Sequence, residues 1–138
     1  MEIIRSDTDY AMRAMVHLAL RHNEGPVCAK VLASDGDIPE DFAYKLLRSL
    51  TEAGLTESHR GVQGGFTLAK EPENITLLEV VEAIQGTVAV RKCILGKGSA
   101  CSRYSSCPVS GKLRGLQDLI ADFLGNMSLA EVVKALER

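Results

Sequence analysis

IPEDFAYKLLRSLTEAGLTESHRGVQGGFTLAK, residues 38 to 70, changes its period halfway along. Up to Leu50 the apolar residues recur three and four apart, which predicts a helix with Phe42, Leu46, Leu47 and Leu50 as its core stripe. Pro39 stands at the first turn, where a missing N–H costs nothing, and Gly54 lies just past the end. From residue 56 the period falls to two, and residues 56–59 and 66–69 read as short strands around a glycine-rich bend.

Upstream, Met12, Met15, Val16, Ala19 and Leu20 recur at helical spacing and predict a first helix over 8–20, with Ser6 or Asp7 as its N-cap. Residues 27–37 read as a short second helix ended by Asp35-Gly36, with Cys28 in its core among Val27, Val31 and Leu32. Helix, helix, helix, hairpin is the order of a winged helix-turn-helix, the third helix reading DNA and the hairpin serving as the wing. The expected fold class is mostly α with a small β-hairpin wing and one long further helix.

Downstream, Thr76 and Glu79 form a capping box that opens a helix running to about Gln85. Periodicity then lapses from Gly86 to Cys107, a length of loop that compact domains rarely keep without a use for it. Pro108 begins another helix, whose stripe is Leu113, Leu116, Ile120, Phe123 and Leu124, and a second capping box at Ser128 and Glu131 starts a short last one. A stripe on an arm outside the domain is expected to meet a partner helix; packing on its own domain is the alternative. The expected organisation is 1–85 as the DNA-binding unit, 86–107 as a cysteine loop and 108–138 as the dimerisation and C-terminal helices.

The chain of 138 residues suits one domain, and 46% hydrophobic residues with 4% aromatics and no Trp describe a helix-rich core of Leu, Val, Ile and Ala. No apolar run approaches the roughly 20 residues that span a bilayer. The opening MEIIRSDTDY carries acids where a secretion signal carries bases, so the expected location is cytoplasmic, with no membrane partner. In a reducing compartment clustered thiols point to metal or redox use rather than to structural disulfides. A net charge of -2 exerts no general pull on nucleic acid, so a DNA face must be built locally. Residues 31–75 hold eight acids against four bases, whereas residues 93–117 hold four bases and no acid.

That cationic stretch contains CILGKGSACSRYSSC, residues 93 to 107. Cys93, Cys101 and Cys107 are separated by seven and then five residues, wider than the close pairs of structural zinc sites. An iron-sulfur cluster spreads its irons over several ångströms and accepts thiolates from a long loop, whose backbone amides and cations offset its charge. Unliganded thiols, a thiol-disulfide switch and a zinc-bound loop are the alternatives. No P-loop, dinucleotide fingerprint or nucleophile beside a base occurs, so neither an enzyme nor a small-molecule substrate is expected. Electron transfer is the rival use of a cluster.

EAGLTESHRGVQGGFTLAK, then ITLLEVVEAIQG, then three spaced cysteines before a helix, together with SDTDYAMRAMVHLAL at the start, resemble the Rrf-two family of bacterial transcription regulators. Its branches include iron-sulfur assembly regulators and nitric-oxide sensors. The resemblance implies a homodimer on double-stranded promoter DNA, expected to act as a repressor, with a cluster that answers nitric oxide, redox state or iron-sulfur status. Cys93, Cys101 and Cys107 match the cluster ligands. Where the assembly-regulator branch has a His three positions beyond the last cysteine, this chain has Ser110. Nitric-oxide-sensor relatives use an Asp near the start of the first helix, donated by the other subunit, and Asp9 falls on that position. Asp9 is thus the candidate fourth ligand, with a 4Fe-4S cluster ahead of a 2Fe-2S one. Its alternative use is to stabilise the helix dipole, worth roughly 0.3–1 kcal/mol.

For DNA, Glu40, Asp41, Ala43, Tyr44, Lys45 and Arg48 lie off the expected stripe of the third helix. Tyr44, Lys45 and Arg48 are the candidates for bases or phosphates of the major groove, while the two acids either cap the helix or accept from cytosine amino groups. Arg60 matches the family's wing arginine and suits the minor groove, with Gly61, Gly64 and Gly65 permitting the bend. His17, His22 and His59 show no metal-binding spacing.

Overall fold

Seven helices and one hairpin build the computed structural model, which describes residues 2–95, 103 and 106–137. Helix α1, Ser6–Leu20, starts ahead of its apolar spacing because acids fill its first turn: the Asp7 carboxylate accepts the Thr8 N–H at 2.9 Å. Arg5, not Ser6 or Asp7, holds the N-cap position, and its guanidinium meets Asp7 at 2.6 Å. That hydrogen bond keeps the Asp7 carboxyl below the usual carboxylate range.

Helix α2, Ala29–Gly36, ends in Asp37, which adopts a left-handed conformation at φ 51°. Cys28 is its N-cap residue and is exposed, which corrects the core assignment. The helix begins after Cys28, so the side chain never joins the apolar face that Leu32 and Ala33 present to the core.

Helix α3, Glu40–Glu52, buries Ala43, Leu46, Leu47 and Leu50. Two residues therefore exchange roles at its start: Ala43 is 0% exposed and Phe42 46% exposed. Both positions are one helical step from Leu46 and Leu47, and close approach to α1 and α2 admits the methyl group rather than the ring. Phe42 lies instead at the rim, its ring centroid 6.1 Å from that of Tyr10. Gly54 ends the helix at φ 81°, with the Leu55 N–H donating back to the Leu50 carbonyl at 3.0 Å.

Strands β1, Thr56–His59, and β2, Gly65–Leu68, pair antiparallel from Thr56 opposite Leu68 to His59 opposite Gly65. Phe66 also exchanges both backbone bonds with Val27, at 3.0 and 2.8 Å, which draws Gly65 into β2 and docks the wing on the segment entering α2. Only glycine fits there: a Cβ on Gly65 would lie 2.4 Å from the Val27 carbonyl, and one on Gly64 2.3 Å from that of His59.

A 3-10 turn, Pro72–Asn74, leads to α4, Leu77–Gln85. The capping box forms at its start: the Glu79 N–H donates to the Thr76 hydroxyl at 3.2 Å, and the Glu79 carboxylate accepts the Thr76 N–H at 2.9 Å. A short helix, α5, Lys92–Leu95, stands within the stretch expected to be irregular. Helix α6, Ser110–Gly125, starts two residues after Pro108 and packs on α4 and α5. At the second box the Ser128 hydroxyl accepts the Glu131 N–H at 3.1 Å and begins α7, Leu129–Leu136. The chain thereby returns to the winged unit: α7 packs on α1 and adds the fully buried Leu129 to the core that also holds Met15, Leu47, Leu50, Ile75 and Val80. No helix among the described residues is long and apolar enough to cross a membrane.

Candidate functional site

Helix α3, the wing and the start of α2 enclose an open groove of about 720 Å³. Tyr44 projects into it from α3, 59% exposed, its ring held edge-on to Phe66 of β2 at 6.3 Å. Arg48 also lines it, within 3.9 Å of Glu52, and both side chains are about three-quarters exposed. A pair so solvated contributes little and leaves the guanidinium available to a phosphate. Arg60 follows β1 directly and makes no ion pair or hydrogen bond among the described residues; Gly61 and Gly64 line the groove beside it. Lys45 is exposed on the same helix without lining the groove. His59 bonds to Thr67 across the hairpin at 2.8 Å and so braces the wing.

Pro39 occupies the N-cap of α3 and no side chain caps that helix, so Glu40 and Asp41 act on it through their place in its first turn. Helix α3 thus presents Tyr44 and Arg48 to one side of the groove and the wing brings Arg60 to the other, the arrangement of a recognition helix and a wing. Sequence reasoning missed Cys28 as a member of this groove.

Cys93 lies on α5 and Cys107 three residues ahead of α6; both are half-buried free thiols, while Cys101 lies outside the described residues. Ser110, where one branch of relatives carries a His, donates its hydroxyl hydrogen to the Cys107 carbonyl at 3.1 Å. Neither α5 nor α6 has an acid in its first turn. Soft thiolates beside cationic and amide-rich sequence suit an iron-sulfur cluster. No three His, Cys, Asp or Glu side chains come together as a metal-holding group among the described residues. Asp9 is engaged elsewhere, its carboxylate accepting from Arg13 four residues on.

The α6 stripe divides. Leu113, Ile120 and Leu124 are half-buried, whereas Leu116 and Phe123 are exposed. Leu119, which the stripe omitted although it stands three and four residues from its exposed members, is 69% exposed. With Ile3, Ile4 and Met127 this helix bounds an apolar groove of about 830 Å³. Ile3 and Ile4 lie too far off in sequence for spacing to reveal them.

A family model described as Rrf2, an iron-dependent transcriptional regulator, matches residues 4–135. The HTH-type transcriptional regulator IscR of Xenorhabdus nematophila is 33% identical over 125 residues, which cover 91% of this chain and 75% of that protein. Its counterpart in Escherichia coli O1:K1 is 33% identical over 124 residues, 90% of this chain and 75% of the relative. Among solved structures, T. potens IscR superposes with a TM-score of 0.77 at 26% identity, covering 96% of this chain and 87% of that one. CymR (YrzC), described as the global cysteine regulator of B. subtilis, shares the fold with a TM-score of 0.80 at 24% identity over 98% of both chains. The chain therefore belongs to the Rrf2 family: it is a DNA-binding transcriptional regulator of winged-helix fold, and not an enzyme.

Proposed function

We propose that this regulator binds promoter DNA as a homodimer and a repressor, and that an iron-sulfur cluster held by Cys93, Cys101 and Cys107 controls that binding. Asp9 of the other subunit is the fourth ligand in this proposal, with 4Fe-4S ahead of 2Fe-2S. The carrying observation is the set of three thiols in a base-bearing, acid-free stretch whose described members, Cys93 and Cys107, are free and half-buried next to α6. When bound, the cluster supplies chemistry that answers nitric oxide, redox state or iron-sulfur supply.

The protein's own part lies in two units. Residues 1–85, joined in their core by α7, form the DNA reader, with Tyr44, Lys45 and Arg48 in the major groove and Arg60, freed to approach by Gly61 and Gly64, in the minor groove. Residues 86–107 form the thiol loop, and within 108–138 the exposed side of α6 is the dimer face. A dimer must meet two half-sites about 34–36 Å apart, so whatever shifts the subunits changes operator affinity.

Anaerobic purification followed by operator titration tests this. Iron and sulfide near one cluster per subunit, and an affinity that changes when they are stripped, support the proposal. Stoichiometric zinc, or DNA affinity that follows thiol oxidation in iron-free protein, replaces it by a zinc-bound or thiol-switch regulator. Iron that leaves operator affinity untouched removes sensing and favours electron transfer.

A further inference from the structure

Gln117 stands where the inward stripe of α6 calls for an apolar residue. It is half-buried, four residues after Leu113, three before Ile120 and seven before Leu124, which are half-buried on the same side. A half-buried amide on such a stripe costs free energy unless both of its polar atoms are paired. Both are: Nε2 donates to the Val88 carbonyl at 2.6 Å, and Oε1 accepts the Val90 N–H at 2.8 Å. A primary amide offers a donor and an acceptor side by side, so it stands in for the peptide of a neighbouring strand beside Ala89.

The bracket falls on the approach to Cys93. Val88 and Ile94 are buried, and α5, which carries Cys93, packs on α6. The other end of the thiol stretch is fixed by the same helix. The Cys107 carbonyl accepts from the Ser110 hydroxyl at 3.1 Å and from the Ser110 N–H at 3.4 Å, at the first residue of α6. From Ser110 to Gln117 is about 10 Å along a helix axis. Two thiols fourteen residues apart in sequence are thus both referred to one rigid element.

We infer that Gln117 is a positioning residue of the thiol site: its amide sets Cys93 against Cys107 before any ligand arrives, with α6 as the ruler. Thiols placed in advance lose less freedom on binding and hold their ligand more tightly. The inference rests on the proposed role of both thiols as ligands. Without the amide, the Val88 carbonyl and the Val90 N–H need water, which reaches them when the segment lifts from α6.

Two measurements on the full chain test it. Gln117→Leu keeps the bulk and removes both bonds; Gln117→Glu keeps an acceptor but has no donor for the Val88 carbonyl. Far-UV circular dichroism confirms that each folds, and the glutamate variant serves if the leucine variant does not. The first measurement needs no iron. In reduced, iron-free protein, maleimide labelling read by peptide mass spectrometry should show Cys93 reacting roughly five-fold faster or more in either variant, the scale of one or two lost hydrogen bonds. Cys107 should stay within about two-fold of wild type, because its anchor to Ser110 is separate. An unchanged rate at Cys93, or equal acceleration of both thiols, overturns the inference.

The second measurement reads the cluster. In anaerobically loaded protein, the visible absorbance should decay in air roughly ten-fold faster in the variants than in wild type, the usual scale for losing a group that orients a ligand. Decay within about two-fold of wild type overturns the inference alone. Wild-type protein that takes up no iron overturns the proposed cluster and this inference with it.

Discussion

Replacing Phe123 with alanine tests the proposed dimer face with little risk to the fold. The residue is 65% exposed on α6, beside Leu119 at 69% and Leu116 at 44%, so the isolated subunit gains little from it. Fully burying a phenylalanine is worth about 1.5–3 kcal/mol, and with two-thirds of that still to be gained each copy offers an interface about 1–2 kcal/mol. A twofold interface uses the same patch twice, so the pair contributes about 2–4 kcal/mol. Phe123→Ala should therefore raise the dimer dissociation constant roughly 30- to 1000-fold at about 1.4 kcal/mol per decade. Alanine is the best helix former, so α6 itself should persist. Sedimentation equilibrium across a concentration series reads the constant, and operator binding should weaken in parallel. Leu136→Ala, at 62% exposure on α7 and away from the groove, is the control of similar exposure. A dissociation constant for Phe123→Ala within about two-fold of wild type, or equal losses in both variants, would refute the assignment of this face.

Arg60→Ala should cost about 1–3 kcal/mol of operator affinity and reduce the salt slope by about one, with unchanged thermal stability because Arg60 makes no ion pair or hydrogen bond among the described residues; an unaltered slope would take the wing off the DNA. Cys28 lines the groove and is exposed, so operator DNA should slow its alkylation by a maleimide, followed at that peptide by mass spectrometry; equal labelling with and without DNA would place the groove outside the interface. Burial raises the Glu79 carboxyl, but the hydrogen bonds from Lys70 and Thr76 outweigh it and leave it below its ordinary value. A lowered carboxyl stabilises the fold above the unfolded value of roughly 4.3, and that contribution disappears as pH falls through the folded value. With 39% of the Glu79 side chain exposed the effect is reduced by solvent, yet Glu79→Gln should flatten the acid end of the stability profile, and parallel profiles would show otherwise.

What could be read from sequence was whatever a few neighbouring residues settle among themselves. Thr76 and Glu79 cap α4 as expected, since both partners of each bond lie within one turn. Gly54 likewise ends α3, and the strands pair where alternation placed them, to within a residue. The errors arose where a distant segment chose between local options. Cys28 sits among apolar neighbours in sequence, but the bridge from Val27 to Phe66 fixes where the chain stops being extended, and α2 starts one residue too late to bury it. Phe42 and Ala43 satisfy the helical period equally well, and the spacing of α1 and α2 selected the smaller. In the site, the exposure of Tyr44 and Arg48 follows from helical period. Arg13 donates its Nη1 to the Gly36 and Asp37 carbonyls, 23 and 24 residues away, and no spacing rule reaches such partners.

The segment entering the thiol loop is tied to the helix that carries the apolar face. Gln117, in the middle of α6, donates its side-chain N–H to the Val88 carbonyl at 2.6 Å and accepts the Val90 N–H at 2.8 Å. The chain entering α5 and Cys93 is thus gripped by the helix that carries the apolar face, through two bonds to backbone that substitution at 88 or 90 would not remove. A thiol loop that changes shape must either break that grip or carry α6 with it. Meanwhile α6 packs on α4, and α4 packs on α1, the helix that carries Asp9 and Arg13. The proposed cluster would then act on the DNA reader through α6, on the distance between half-sites. Subunit spacing alone predicts that a monomeric Phe123 variant loses all dependence of half-site affinity on iron.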